Sequence, residues 1–199
     1  MSSAFLPKIA RAQNFKSLKQ SSFDRTGGNR DSWPIAPGGT QELLRADGPG
    51  AITHIWFTIA ARGQYHLKEL VLRAYWDGNA KPSVETPIGD FFGLNLGTYF
   101  IYESAYLACS PGRSLNCYFP MPFRKSARLT VTNEGKGDVG AFYSNIDYLL
   151  VPALPEDALY FHAQYRAATP PVSARGRWNI CGTDNFVFLE AEGRGHFVG

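Results

Sequence analysis

Residues 46–60 read ADGPGAITHIWFTIA and predict a turn followed by a long β-strand. Gly48-Pro49-Gly50 ends whatever precedes it, because proline fixes φ and lacks an N–H donor while glycine tolerates positive φ. Side chains in the following strand alternate between two faces. An almost wholly apolar face, which must be covered, comprises Thr53, Ile55, Phe57 and Ile59. The other face comprises Ile52, His54, Trp56 and Thr58, and it fits either a core with a polar seam or the wall of a binding site.

From residue 41 onward the chain is a series of short apolar runs separated by turn residues. Residues 70–76 show the period-two alternation of a half-buried antiparallel strand, and Asp77-Gly78-Asn79 predicts a tight turn after it. The predicted strands are residues 41–46, 51–60, 67–76, 83–86, 114–120, 127–133, 141–151, 160–167 and 185–191. Many short strands with frequent Gly and Pro predict an all-β fold: a β-sandwich, jelly roll or barrel.

The first forty residues have a different pattern. Apolar residues recur at three- and four-residue steps within residues 1–20, which predicts a short N-terminal helix. Residues 21–40, SSFDRTGGNRDSWPIAPGGT, are dense in Gly, Asp, Asn, Ser and Pro and predict a loop. A loop of this length in a compact domain is usually functional or disordered.

Charge and cysteine content exclude several classes of protein. The formal net charge is only +3 and the basic residues are scattered, which argues against a nucleic-acid partner. No stretch approaches the roughly twenty apolar residues of a membrane span, and no signal peptide is seen, so we expect a soluble chain, cytoplasmic by default, with no membrane partner. The three cysteines Cys109, Cys117 and Cys181 lack metal-ligand spacing, so no metal site is expected, whereas pairing of the first two stays open.

Several long blocks occur together in an unusual order. The succession FDRTGGNRD, GPGAITHIWFT, LRAYWDG, PIGDFFG, YFPMPFRKSARLTVTNEG and NFVFLEAEGRGHFVG resembles glycoside hydrolase family 172, also catalogued as domain of unknown function 2961. The resemblance runs from about residue 21 to residue 199 and implies two tandem jelly-roll domains in one chain, no cofactor, and assembly as homotrimers or multiples of trimers. It implies residues 21–152 as the first jelly roll and 153–199 as a linker and the opening strands of a second, incomplete one, and the predicted helix makes residues 1–20 a separate N-terminal extension.

The same resemblance implies a reaction. Family members cleave α-D-fructofuranosides or α-D-arabinofuranosides with retention, using two glutamates roughly 5–5.5 Å apart as nucleophile and acid/base. In the family pattern both glutamates follow the block GHFVG, so no catalytic residue is assigned and the chain is expected to be inactive alone. Glu190 and Glu192 share a strand face at about 7 Å, a commonplace spacing. A carbohydrate-binding module and a capsid-like assembly unit remain alternatives.

The loop within residues 21–40 is one candidate sugar-binding segment. Asp24, Arg25, Asn29 and Asp31 supply carboxylate, guanidinium and amide groups suited to sugar hydroxyls. An Asx-rich loop whose side chains bind their own backbone would have the same composition. Both interpretations stay open at this stage.

Three further residues are candidates for sugar contact. His54 and Trp56 lie two apart on one strand face, and a tryptophan beside polar groups is a frequent sugar-stacking surface, although both residue types also occur in cores. Asp90, in GDFFG, could orient a site residue or cap a local turn. Apolar side chains in YFPMPF predict packing or a contact between subunits; these are Phe119, Met121 and Phe123.

Overall fold

The structure, a computed structural model, describes residues 10–168 and 185–199. In chain order the strands are β1 (Lys16–Ser21), β2 (Trp33–Ile35), β3 (Thr40–Asp47), β4 (Gly50–Ala61), β5 (Leu70–Trp76), β6 (Val84–Pro87), β7 (Tyr102–Glu103), β8 (Leu107–Cys109), β9 (Leu115–Cys117), β10 (Met121–Phe123), β11 (Ser126–Asn133), β12 (Val139–Leu150) and β13 (Ala163–Gln164). Two one-turn helices are α1 (His66–Glu69) and α2 (Ile88–Phe91). No helix in the described residues is long and apolar enough to cross a membrane.

The strands form two sheets that pack face to face as a jelly-roll β-sandwich, so the predicted fold class is confirmed. The larger sheet has the order β1-β12-β4-β9-β8-β7, with β10 also paired to β4 and β2 to β12. The smaller sheet has the order β13-β6-β5-β11-β3. Strand β13 runs parallel to β6, whereas β5 and β6 pair antiparallel. The long central strand β4 therefore has β12 on one side and β9 and β10 on the other.

One hydrophobic core fills the space between the sheets. From the larger sheet, Phe57 and Phe142 are fully buried with ring centroids 5.1 Å apart. From the smaller sheet, Leu44 and Trp76 are buried to the same degree. Each such side chain stabilises the fold by about 1.5–3 kcal/mol relative to exposure. This core is what fixes which side of each strand faces outward.

A bulge in β4 changes the face of one predicted residue. His54 lies opposite Asp147 on β12, but Ile52 lies opposite Tyr148, so Thr53 is an extra residue in β4. Ile52 therefore points into the core and is fully buried. The strict alternation that put Ile52 on the face of His54 was wrong, because an apolar side chain gains more from burial than a regular ladder gains from one hydrogen bond.

The N-terminal helix is not found where the chain is described. Residues 1–9 lie outside the described residues, and Lys16–Ser21 form β1 along the edge of β12. Short isolated helices are marginal in water, whereas the edge of β12 offers a row of unpaired backbone groups. Tertiary pairing therefore overrides the local helical pattern at Lys16–Gln20.

Other predicted boundaries also shift. The predicted strand 67–76 begins as helix α1 and becomes a strand only at Leu70, and the predicted strand 160–167 is reduced to β13. Residues 185–199 contain no strand and are exposed throughout, so the prediction of a strand at 185–191 was wrong. A strand needs a neighbour to satisfy its backbone groups, and the described residues do not pair one with this segment.

The packing prediction for YFPMPF is confirmed in two places. Met121 and Phe123 are buried in the core, and Phe119 packs against its edge beside Tyr106, with ring centroids 4.7 Å apart.

Two cysteines are buried and free. Cys109 lies opposite Leu115 and Cys117 lies opposite Leu107, so the two thiols are diagonal neighbours on β8 and β9. Diagonal Cα atoms are about 7–8 Å apart, which is beyond disulfide reach. Burial raises the pKa of Cys117 to about 12. Cys181 lies outside the described residues.

The segment after β12 is attached to the sandwich by polar contacts. Arg124 Nη2 donates to the carbonyls of Pro155, Glu156 and Ala158 at 3.2, 2.9 and 3.1 Å. Trp76 Nε1 donates to the carbonyl of Phe161 at 2.7 Å. These contacts hold the segment that connects β12 of the larger sheet to β13 at the edge of the smaller sheet.

Candidate site on the outer face of the larger sheet

Polar and aromatic side chains gather on the solvent side of β1, β12, β4 and β9. Residues directly opposite on antiparallel strands share a face. Trp56 on β4 lies opposite both Asn145 on β12 and Asn116 on β9, and Asp147 lies opposite both His54 and Lys19. We call this surface the outer face; its residues are Lys19, His54, Trp56, Ser114, Asn116, Tyr118, Asn145 and Asp147.

His54 is held at both ring nitrogens. Its Nδ1 lies 3.2 Å from Asp147 Oδ2, and its Nε2 lies 3.1 Å from Asn116 Oδ1. Lys19 Nζ lies 3.3 Å from the other carboxylate oxygen of Asp147. A polar chain therefore crosses four strands and fixes the plane of the imidazole.

Tyr118 lies flat on this imidazole. The ring centroids of His54 and Tyr118 are 4.6 Å apart, and the ring planes differ by 6°. Tyr118 is nevertheless 47% exposed. One side of the phenol ring is thus covered by His54, and the ring retains a large solvent-facing area.

A second hydrogen-bonded cluster fixes Trp56. Its Nε1 donates to Ser114 Oγ at 2.6 Å. Asn116 Nδ2 lies 3.2 Å from both the carbonyl and the hydroxyl oxygen of Ser114. Because the amide nitrogen of Asn116 faces these oxygens, its Oδ1 faces His54. The structure thereby brings the two predicted residues His54 and Trp56 into one network.

The predicted loop 21–40 is interrupted by β2, because Trp33–Ile35 pair with β12. The loop before β2 binds its own backbone, which is the Asx-loop alternative. Asp24 Oδ1 accepts from the backbone N–H and hydroxyl of Thr26 at 3.0 and 2.7 Å, and Oδ2 accepts from Arg30 N–H at 3.2 Å. The hydrogen bonds from Thr26, then that from Arg30, lower the pKa of Asp24. Asp31 Oδ1 accepts from the Asp24 N–H at 2.7 Å. Gly28 packs against this carboxylate, since a Cβ there would lie 2.5 Å from Asp24 Oδ2.

The other two predicted loop residues are on the surface. Arg25 is exposed, with its guanidinium carbon 5.8 Å from the ring centroid of Phe23. Asn29 is exposed as well. The loop joins β1 to β2, and Ser22 at its start donates its N–H to the Ser144 carbonyl of β12 at 2.9 Å. The loop is therefore attached to the same sheet as the outer face.

Asp90 is part of a separate ion pair. Lys68 Nζ on α1 donates to both carboxylate oxygens of Asp90 on α2, at 2.7 and 2.9 Å. The Asp90 side chain is 14% exposed, so this pair ties the two short helices together. The structure does not bring Asp90 into the network of His54 and Trp56.

Five residues of the network were not predicted from sequence: Lys19, Ser114, Asn116, Tyr118 and Asp147. For three of them the signal was present as the alternation of polar and apolar residues in the sequence, since Leu115 and Cys117 lie between Ser114, Asn116 and Tyr118. Which strand lies beside β4, and in which register, depends on pairings between distant parts of the chain. Among the described residues, no group of His, Cys, Asp and Glu side chains is placed to hold a metal ion.

Comparison with known protein families shows which family the chain belongs to. Residues 28–145 match the family described as GH172 domain-like, and this span is more than half of the chain. The chain belongs to this family. It is therefore a member of a glycoside hydrolase family, as the sequence blocks indicated. No curated protein matches the chain.

Solved structures similar to this GH172-family chain are remote. That of infectious bursal disease virus Gx strain has a TM-score of 0.35 and 10% identity over 70% of this chain and 33% of that chain. The serine protease of Aeromonas sobria has a TM-score of 0.32 and 13% identity over 69% of this chain and 27% of that chain. The complex of the Aeromonas sobria protease with its chaperone ORF2 has a TM-score of 0.32 and 12% identity, over 68% of this chain and 27% of that chain. The chain thus spans about a third or less of the length of these relatives.

Pairs of carboxylates are candidate catalytic groups in a glycoside hydrolase family. Arg73 Nε donates to Glu85 Oε1 at 2.7 Å, and its Nη2 donates to Glu134 Oε1 at 2.6 Å. The arginine between these two exposed glutamates makes them a surface ion-pair network. Glu190 bonds Arg166 Nη2 at 3.0 Å, and both Glu190 and Glu192 are exposed. Glu85, Glu134 and Glu190 therefore belong to surface ion pairs with arginines.

Proposed function

We propose that this chain is the sugar-binding N-terminal part of a retaining glycosidase that acts on α-D-fructofuranosides or α-D-arabinofuranosides. The outer face supplies the sugar contact, with Tyr118 as the stacking surface. The observation that carries the proposal is the parallel stack of Tyr118 on His54, because it presents a large, rigid and exposed ring beside hydrogen-bonding groups.

The chemistry of the surroundings supports a neutral polyhydroxylated ligand. A sugar places C–H groups against an aromatic ring while its hydroxyls exchange hydrogen bonds with neighbouring side chains. His54, on which Tyr118 stacks, is linked through Asp147 to Lys19, and the Asp147 and Lys19 side chains are 33% and 53% exposed, so a carboxylate and an ammonium group remain accessible to sugar hydroxyls. Lys19 and Asp147 carry opposite charges, so the face has no strong preference for an anion or a cation.

Catalysis is proposed to come from the family's two glutamates, to which no described residue of this chain corresponds. Two of the candidate carboxylates form ion pairs with basic side chains: Asp90 with Lys68 and Glu190 with Arg166. We expect the chain alone to bind a furanoside and not to hydrolyse it. Assembly as a homotrimer, or as a multiple of trimers, is proposed as the state in which the full activity operates.

Calorimetric titration of the chain with methyl α-D-arabinofuranoside and methyl α-D-fructofuranoside tests the binding. Tyr118→Ala removes the stacking surface and is expected to weaken binding about threefold to tenfold. Tyr65→Ala is the matched control, because Tyr65 is 61% exposed and lies before α1, away from the outer face. Binding that is equal in the two variants would refute the proposed surface.

An aryl α-D-arabinofuranoside assay tests the catalytic part separately. Clear turnover by the chain, lost when one of its own carboxylates is mutated, would contradict the expectation of inactivity. A non-catalytic carbohydrate-binding module would bind the methyl furanosides without ever contributing to turnover in a trimer. A capsid-like assembly unit would show concentration-dependent association and no response to sugar.

A further inference from the structure

A groove of about 390 Å³ lies on the solvent side of the smaller sheet, on the opposite side of the sandwich from the outer face. Its floor is a row across three strands, in which Arg45 on β3 lies opposite Arg128 on β11, and Arg128 lies opposite Tyr75 on β5. Its rim includes Asn79, Ser126 and Asp47. The volume is that of a small-molecule pocket.

Two arginines directly opposite each other are unfavourable in a sheet, because like charges repel at this distance. The chain compensates one of them with a neighbouring acid. Arg45 Nε and Nη2 donate to the two carboxylate oxygens of Glu42 at 2.9 and 2.6 Å. Arg45 is thus held in place with its positive charge largely neutralised.

Arg128 is compensated differently. Its guanidinium carbon lies 4.0 Å above the centroid of the Tyr75 ring, which positions the planar group by cation–π attraction. Within the described residues, no carboxylate or carbonyl accepts a hydrogen bond from the guanidinium of Arg128, so the N–H donors at its edges remain available. A planar, pre-positioned guanidinium with free donors matches the geometry of a carboxylate or phosphate.

We propose that this groove binds the oxyanion of a small molecule of about monosaccharide size, a carboxylate or a phosphate, with Arg128 as the principal donor. Asn79 and Ser126 contribute neutral hydrogen-bonding groups at the rim. The site is separate from the sugar-binding surface proposed above and does not depend on it.

Asp47 opposes such a ligand and supplies a sharp test. Its exposed carboxylate is at the rim, opposite Ser126, and repels a bound anion. Asp47→Asn should therefore strengthen oxyanion binding by a few fold. A variant that gains affinity cannot be explained by misfolding.

The experiment is a titration at low salt with inorganic phosphate, D-glucuronate and D-glucose, followed by two-dimensional amide NMR. Arg128→Gln should weaken oxyanion binding about tenfold or more. Arg128→Lys should weaken it less, because lysine keeps the positive charge but lacks the two parallel N–H donors of a guanidinium. Arg113→Gln is the matched control: Arg113 also stacks on a tyrosine, with its guanidinium carbon 5.1 Å from the Tyr99 centroid, but it lies outside the groove.

The proposal is supported if an oxyanion binds saturably, Arg128→Gln loses this binding, Arg113→Gln retains it and Asp47→Asn strengthens it; weaker binding by Asp47→Asn overturns it. Saturation by phosphate alone or by glucuronate alone identifies which oxyanion is preferred. The proposal is overturned if no oxyanion saturates by about 10 mM, a weak affinity for a specific site. It is also overturned if glucose binds as well as glucuronate, or if the two glutamine variants behave alike.

Discussion

Tyr118 lies parallel to His54 at a centroid separation of 4.6 Å, and His54 is in turn hydrogen-bonded to Asp147 on the neighbouring strand β12. The orientation of the exposed tyrosine is therefore set by a hydrogen-bonded histidine beneath its ring. Asn116 completes this support from the other side of the imidazole. A surface built in this way is rigid before any ligand arrives, which lowers the entropic cost of binding.

We predict that Tyr118 and His54 are energetically coupled. Tyr118→Ala, His54→Ala and the double variant should give a coupling of about 0.5–1.5 kcal/mol in the free energy of unfolding, the range for stacked rings. Urea denaturation of the four proteins measures it. Additivity within about 0.3 kcal/mol would mean that the stack contributes nothing to stability.

Two buried serines should respond in opposite ways. Ser22 Oγ accepts from the Ser144 N–H at 3.0 Å and donates to the Asp31 carbonyl at 2.5 Å, so Ser22→Ala should lower the free energy of unfolding by about 1–3 kcal/mol. Ser144 Oγ is fully buried and has no hydrogen-bond partner among the described residues. Ser144→Ala should be neutral or stabilising in thermal denaturation. A loss for Ser144→Ala as large as that for Ser22→Ala would indicate a partner for the hydroxyl.

Gly50 at the start of β4 should not tolerate a side chain. A Cβ at this position would lie 2.3 Å from the Leu149 carbonyl oxygen and 2.6 Å from Phe123 Cζ. Gly50→Ala is expected to cost about 1–3 kcal/mol or more, because a backbone atom cannot move aside easily. Gly140→Ala is the control, since its nearest contact would be 3.7 Å away at the Ala60 carbonyl. Similar melting temperatures for both variants would contradict the close approach.

Asp77 should make stability depend on pH. Its Oδ1 accepts the backbone N–H groups of Arg124, Lys125 and Ser126 at 2.9, 2.7 and 3.1 Å, and its Oδ2 accepts from the Tyr160 hydroxyl. Burial acts to raise the pKa of Asp77, but these hydrogen bonds outweigh it and lower the pKa. The folded state therefore favours the carboxylate over the neutral acid.

The sign follows from linkage. A carboxyl with a lowered folded-state pKa contributes stability above its unfolded pKa of about 4 and loses it as the pH falls toward the folded value. Asp77→Asn should cost about 1 kcal/mol at pH 7, a modest value because solvent screens this partly exposed group. The difference should shrink below about pH 4 in urea titrations. A deficit for Asp77→Asn that is constant with pH would refute the charge-based account.

Much of the fold was predictable from alternation. Residues 41–46, 51–60, 127–133 and 141–151 were predicted as strands and correspond to β3, β4, β11 and β12. All four strands bury one face in the core, where the period-two pattern is strongest; β4, β11 and β12 also have a strand on each side, whereas β3 is an edge strand. The failures lie at edges: β1 was interpreted as helix, and 185–191 was interpreted as strand. Edge segments have few apolar contacts, so pairing partners rather than local pattern decide their state.

The sequence by itself determined that the chain is all-β, that its sequence blocks resemble those of the GH172 family, and that His54 and Trp56 share a strand face. Only the tertiary structure decided what surrounds them. Asn116 and Asp147 reach His54 because β9 and β12 pair with β4 in one register, and the bulge at Thr53 fixes that register by burying Ile52. Strand pairing joins residues more than sixty positions apart, and its register depends on how the whole core packs.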